Sequence, residues 1–295
     1  MRDVTICIPT FRRPQSLRRL LEAVAALETK FDVAVLVADN DAEGHAGFDL
    51  ANAMAPSFRF PLRAVIAHQR GIAQVRNTLI AEALQGGTRF LAMIDDDEWP
   101  DARWIDAFLQ AAKDTGAGVL QGSILFNHPA QADIVRASGV TAMLQGAGNL
   151  LIRSDVLEAM AQPWFDPAFA LSGGEDREFF VRIAKSGVRL AWCDEARCFG
   201  DVPETRATLS WVLARAYSIG NSDMRVLLKH HRGLGLYLGE AAKIAAAVAL
   251  AAPAAALLAP TSRRRQPLEK LFRAFGKLAA LCGARHEEYA MIHGH

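Results

Sequence analysis

Residues 4–115 alternate between two kinds of apolar pattern, and that alternation restricts the fold more than any other feature of the chain. VTICIPT (4–10), VAVLVADN (33–40), LRAVIAH (62–68) and FLAMIDDD (90–97) are short runs rich in Val, Ile and Leu. Between them the period changes. Pro14 suits the first turn of a helix, and Leu17, Leu20, Leu21 and Val24 follow at helical spacing. Ile72, Val75, Leu79 and Ile80 do the same over 71–84, and a third helix is predicted over 101–115. Near-continuous apolar strands need cover on both faces, which the intervening helices provide. The rhythm predicts an α/β fold with a mostly parallel sheet flanked by helices. Ligands of such sheets sit beyond the carboxyl ends of the strands. Thr10, Asp39, Asp41, His68, Asp95, Asp96 and Asp97 occupy those ends and are expected to converge on one crevice.

The second half is less regular. GVLQGSILF (118–126), GNLLIR (148–153) and VRLAWCD (188–194) read as strands, and GGEDREFFVRIAKSG (173–187) as a loop entering a helix. From about residue 206 the pattern is helical and rich in Ala and Leu. The charge divides at the same place. Residues 206–295 hold 13 Lys and Arg against 5 Asp and Glu, a net +8, while the whole chain is +1. The preceding residues are therefore −7. We expect a domain over 1–205, then a helical extension over 206–295. Apolar residues make up 51%, which excludes global disorder. Cys7, Cys193, Cys198 and Cys282 are too scattered for a disulfide scaffold, and no CxxC pair suggests zinc. The opening MRDVTICIPTFRRP lacks the apolar stretch of a signal peptide, so residence in the cytoplasm is expected.

Two acidic segments carry the chemistry. IDDDEWP (94–100) sets three aspartates after a buried strand. Either they form a solvated turn and helix cap, or they hold a hard divalent cation such as Mn²⁺ or Mg²⁺. GGEDREFF (173–180) places Glu175 and Asp176 at a helix start, as N-terminal caps or as a general base and its neighbour. Its glycines allow backbone to approach a ligand closely. Asp39 ends the second strand, to bind a base or ribose or to make an Asx-turn with Asn40. Arg70 and Arg76 flank a helix start, which suits phosphate as well as a surface salt bridge.

PTFRRP, VADND, GIAQVRN, IDDDE, GNLLIR and GGEDREFF occur in an order that resembles family 2 glycosyltransferases over roughly residues 3–206. The likeness is strongest to the bacterial succinoglycan-type exopolysaccharide glucosyltransferases, and DVPETR (201–206) followed by Trp211 also looks like that group. The resemblance implies a GT-A fold, with a nucleotide-binding half over 1–117 and an acceptor-binding half over 118–205, and an inverting, metal-dependent transfer from a nucleotide sugar, UDP-glucose by suggestion of the group. It implies that Pro9, Thr10, Phe11 and Asp39 hold base and ribose, with Arg76 near the nucleotide. Asp95, Asp96 and Asp97 match the DxD element, with Asp97 the direct metal ligand and Asp95 and Asp96 at metal or donor. Asp176 matches the base, supported by Glu175, and Gly173 and Gly174 would shape the acceptor pocket. The acceptor would be a saccharide or a lipid-linked oligosaccharide. The QxxRW signature of processive synthases is missing, so single additions are expected. A sugar-phosphate nucleotidyltransferase, or a non-enzymatic nucleotide-sugar-binding or scaffolding protein, are the alternatives. The acidic motif at 175–176 speaks against the first, because nucleotidyl transfer needs no base there.

Ile244–Ala259 is an uninterrupted apolar run of 16 residues that contains Pro253 and is followed by Arg263, Arg264 and Arg265. It is short of the roughly 20 residues that span a bilayer. A core-packed hairpin, an interfacial helix and a short spanning segment compete. The neighbouring basic residues favour an anionic membrane surface, at about 1 kcal/mol each. The expected location is peripheral, on the inner face of the cell membrane. Nucleic acid is not expected, because the positive charges are interleaved with Ala and Leu rather than aromatic platforms.

Overall fold

The computed structural model describes residues 1–127, 131–203, 205, 208–231, 233–258 and 265–286. Two compact units are distinguished: Met1–Pro167 with Glu175–Val202, and Ala168–Gly174 with the chain from Pro203 onward.

The first unit begins β1 (Arg2–Thr10), α1 (Pro14–Ala25), β2 (Val33–Asp39), α2 (Ala46–Met54), β3 (Leu62–Ile66), α3 (Ile72–Gln85) and β4 (Thr88–Met93). It continues β5 (Glu98–Pro100), α4 (Trp104–Thr115), β6 (Val119–Phe126), β7 (Gly139–Thr141), β8 (Leu150–Arg153), α5 (Ser154–Glu158), α6 (Glu175–Lys185) and β9 (Leu190–Gly200). The strands form one sheet in the order β3-β2-β1-β4-β8-β6-β9-β5, with β7 paired to β9. This is the expected α/β class. β3, β2, β1 and β4 are parallel, whereas β8 runs antiparallel to both β4 and β6. The sheet is thus parallel in its first half and mixed in its second. The reason lies in the connection. No helix is described between β6 and β8, and without a crossover a returning strand pairs antiparallel.

The periodic positions bury as their spacing requires. Leu17, Leu20, Leu21 and Val24 are fully buried on α1, as are Leu79 and Ile80 on α3. Trp104, Ile105 and Phe108 of α4 share one core with the α1 residues. Elements that the periodicity did not reveal are short or weakly patterned: β5 and β7 have three residues each, and α2 reads AGFDLANAM. The last strand runs on to Gly200, past the Asp194 where its apolar run stops.

The second unit is built on α7 (Leu209–His230), α8 (Leu234–Leu257) and α9 (Arg265–Leu281). Thr208 caps α7 by accepting from the Trp211 amide. α7 and α9 cross with backbones in contact. A methyl group on Gly220 would stand 2.0 Å from the Arg273 carbonyl oxygen, and one on Gly276 would stand 2.0 Å from that of Tyr217. Asn221 locks the crossing by donating to the Gly276 and Ala284 carbonyls at 3.3 and 3.0 Å. α8 is tied to α9 through the buried Glu240, which accepts from Lys243 at 2.7 Å and Lys277 at 3.2 Å. Ile244 and Ala251 continue the buried face, while Leu234, Leu238, Leu250 and Leu257 are 62–81% exposed. α8 is long and apolar enough to cross a membrane by length and composition. Pro253 lies inside it. Ala259, Arg263 and Arg264, and Glu204 and Arg206 of the DVPETR segment, lie outside the described residues.

Gly276→Ala forces backbone apart and is expected to lower stability by about 1–3 kcal/mol. Gly239→Ala, where nothing stands within 4 Å, is expected to be neutral or to stabilise the helix by up to about 1 kcal/mol. Urea melts of the two variants should move in these opposite senses. Glu240 is held below the usual carboxylate range by Lys243 and then, against the effect of burial, by Lys277. Its contribution is therefore complete above the ordinary glutamate pKa and is lost as pH falls through the lowered one. The gap in urea midpoint between wild type and Glu240→Gln should be widest at neutral pH and close in acid.

Candidate functional site

The site starts where β4 stops. Ile94 is fully buried, and the next four residues alternate. Asp96 and Glu98 turn inward and are buried, while the side chains of Asp95 and Asp97 stay 34% and 28% exposed. Burial, with the charge of Asp97 added to it, pushes the Asp96 carboxyl up to about 7. Burial also raises Glu98 well above the usual range, with Asp95 and Asp97 acting in the same direction. Glu98 Oε2 has no hydrogen-bond partner among the described residues.

Two arginines hold this acidic turn. Arg13, just ahead of α1, donates to Asp97 Oδ2 at 2.9 Å and to Asp96 Oδ1 at 3.3 Å. Thr10, at the end of β1, donates to Asp96 Oδ2 at 2.8 Å. Arg76, on the first turns of α3, donates to Asp95 Oδ1 at 3.2 Å and to Glu175 Oε1 at 2.6 Å. The expected convergence of strand ends is thus present for Thr10, Asp95, Asp96 and Asp97. His68 is exposed in the loop after β3.

The end of β2 builds a second wall. Asp39 is completely buried and accepts from the backbone amides of Asp41 at 2.9 Å, Gly47 at 2.8 Å and Phe48 at 3.0 Å. The bond to Asp41 is the Asx-turn, and the other two cap α2. A carboxylate in this position shapes the loop. Asn40 ties that loop to the start of α3, donating to the Ala67 and Gln69 carbonyls and accepting from the Gly71 amide at 2.7 Å. Asp41 takes two bonds from Arg12, at 2.8 and 3.1 Å, and the guanidinium holds its carboxyl below the usual range. The guanidinium carbons of Arg12 and Arg70 are 5.2 and 5.4 Å from the centre of the Phe11 ring. Pro9 is buried within β1.

Between the two acidic segments runs the glycine loop ahead of β8. A methyl group on Gly148 would stand 2.9 Å from Glu98 Oε1 and 3.3 Å from Asp95 Oδ2, and one on Gly146 3.7 Å from Asp176 Oδ2. The loop is pinned at both ends. Gln121 accepts from the Gln145 amide at 2.7 Å. Asn149, fully buried with φ of 50°, accepts from Trp104 Nε1 and donates to the Ser123 and Ala196 carbonyls. At the start of α6, Glu175 is buried on Arg76, and the half-buried Asp176 accepts from the Arg177 amide. Gly173 and Gly174 belong to the second unit, at φ of 72° and 90°. A side chain at 174 would meet Ser222 of α7 at 2.7 Å, so packing alone requires that glycine.

Arg12, Arg13, Asn40, Glu98, Gln121 and Gly148 were given no role by the sequence motifs. One signal was present: the arginines of PTFRRP stand at a helix N-terminus, where the dipole disfavours cations, so an acidic tertiary partner was called for.

The half-open oxygens of Asp95 and Asp97 suit Mn²⁺ or Mg²⁺. No group of three or more such ligands gathers among the described residues. A cation here would complete its shell with substrate phosphates, as Mg²⁺ commonly does.

The profile of Glycosyl transferase family 2 matches residues 5–162. The succinoglycan biosynthesis protein ExoM of Rhizobium meliloti is 31% identical over 279 residues, covering 89% of this chain and 86% of that protein. Among solved structures, the mannosyltransferase PcManGT from Pyrobaculum calidifontis, in complex with GDP-Man and Mn²⁺, superimposes with a TM-score of 0.62 at 18% identity. That match covers 95% of this chain and 89% of the other. S. aureus TarS 1–349 in complex with UDP gives 0.57 at 12% identity, over 96% and 92%. These two likenesses carry the GT-A fold, and the profile and the ExoM match carry the family. The chain belongs to glycosyl transferase family 2, with a relative in exopolysaccharide biosynthesis.

Proposed function

We propose that this glycosyltransferase moves a hexose from a UDP-sugar, with inversion and divalent-metal dependence, to a saccharide or lipid-linked saccharide in cell-surface polysaccharide synthesis. One observation carries the reading. Gly148 borders Asp95 and Glu98, and Gly146, two residues away, borders Asp176. Two residues of chain span at most about 7 Å, so both acidic sites border one short strip of backbone, on which the sugar would lie.

In this reading Asp97 and Asp95 hold Mn²⁺ or Mg²⁺, which when bound neutralises the departing diphosphate as a Lewis acid. Asp176 accepts the proton of the acceptor hydroxyl as that oxygen attacks from the opposite face of the sugar. Thr10 keeps Asp96 oriented, and Arg13 bridges Asp96 and Asp97. Phe11, with two guanidiniums near its ring, is the platform for the base, and Asp39 builds the loop beside it. Gly173 and Gly174 lead into α6 on the acceptor side. The ExoM relative supports an exopolysaccharide product, and the UDP complex of TarS supports UDP as carrier.

UDP release should depend on Mn²⁺ across a panel of UDP-sugars and be lost with chelator. Asp176→Asn should cut kcat by about 10²–10⁴-fold with the fold intact. Asp97→Ala should abolish the metal response. Wild-type rates in either folded variant remove that residue from the mechanism.

We also place the enzyme on the cytoplasmic face of the membrane, with the basic second unit toward anionic lipid. The apolar outer face of α8 supports this. Liposomes containing anionic lipid should co-sediment with the protein at low salt, and protein that stays in the supernatant rules the placement out.

A further inference from the structure

Arg76 touches both acidic segments, and it does so from inside the protein. Its side chain is 6% exposed, as is that of Glu175, while that of Asp95 is 34% exposed. The two bonds leave different nitrogens of one rigid plane, Nη1 to Glu175 and Nη2 to Asp95. Phe165 lies alongside, with its ring centre 5.5 Å from the guanidinium carbon. Phe165 is itself fixed. It stacks on Phe179 of α6 at 4.5 Å, and its amide and carbonyl are both bonded to the side chain of Asn77, the neighbour of Arg76 on α3. α3, Phe165 and α6 therefore confine the guanidinium on several sides.

We propose that Arg76 is a positioning residue that couples the donor-side carboxylates to the helix bearing the base, and not a ligand of the nucleotide. The proposal rests on the reading of Asp95 and Asp176 given above. Glu175 is the direct neighbour of Asp176, and Asp95 is two residues from Asp97. A fork with fixed angles sets the distance between its two carboxylates, and so the distance between the leaving-group side and the base side of the sugar strip. A lysine carries the charge without the fork. Removing the charge altogether would leave Glu175 buried without this compensation, which is strongly destabilising.

The test separates binding from turnover. In Arg76→Lys, kcat is expected to fall about 10²-fold, the scale of a 1 Å misplacement. Calorimetric Kd values for UDP and GDP in the presence of Mn²⁺ should change less than about threefold, well under 1 kcal/mol. Arg76→Met is the harsher variant and is expected to be destabilised. Arg76→Met with Glu175→Gln removes both charges and should recover folding. Its kcat loss should not exceed the larger of the two single losses, since the pair acts as one unit. Nucleotide affinity that weakens in parallel with kcat, or losses that multiply in the double variant, would overturn the proposal. Wild-type protein inactive on every donor would defeat the reading of the site instead. The same cycle read from urea midpoints still measures the Arg76–Glu175 coupling in that case, and additive midpoints overturn it.

Discussion

The structure of the first unit is organised around negative charge that the end of β4 cannot carry unaided. Asp95, Asp96, Asp97 and Glu98 follow a buried strand, and Glu175 approaches from α6. Arg13 and Arg76 answer them with divided guanidiniums, each serving two carboxylates. The arrangement explains otherwise awkward choices. Arg12 and Arg13 stand ahead of α1, against the helix dipole, because Asp41 and the aspartate run are their partners. Glu175 and Asp176 stand at the start of α6, where the same dipole favours acids. Even so, burial, with the neighbouring carboxylates added to it, raises the pKa values of Asp96 and Glu98.

Periodicity made the first half of the fold legible. Strands covered on both faces and helices with one apolar stripe leave strong patterns, and β1 to β4 with α1 and α3 lie where those patterns fall. β5 and β7 are too short to show a period, and the antiparallel return of β8 depends on a loop rather than on the strand's own composition. Among site residues, the aspartates were legible because a run of like charge after a buried strand needs a cause. The counter-charges were not, because no spacing rule joins Arg13 to Asp97 across 84 residues or Arg76 to Glu175 across 99.

Asp39 and Gly174 show a different limit. Both stand in motifs that resemble ligand-binding segments, and both have work within the fold. The Asp39 carboxylate meets three backbone amides, and Gly47 is confined by Thr10 and Asp39 in turn. Gly174 combines a positive φ with the approach of Ser222. A motif records that a residue type is required at a position. It does not divide the requirement between building a loop and touching a ligand, and the hydrogen bonds of Asp39 show only the first part.

The same distinction bears on α8. Its composition alone fits a membrane span, yet one face is engaged within the second unit. Glu240, Ile244 and Ala251 are buried there, with Glu240 bonded to Lys277 of α9. Carrying α8 across a bilayer would either break that bond and expose a carboxylate to hydrocarbon or draw the charged face of α9 in with it. Both are costly, at about 2.5–3.5 kcal/mol or more for each charge near the bilayer centre. Lying in the interface requires neither. The outward residues Leu234, Leu238, Leu250 and Leu257 would enter the acyl boundary, and the Glu240–Lys277 bond would stay on the protein side. The buried glutamate, more than the length of the apolar run, is what argues against a helix that spans the membrane.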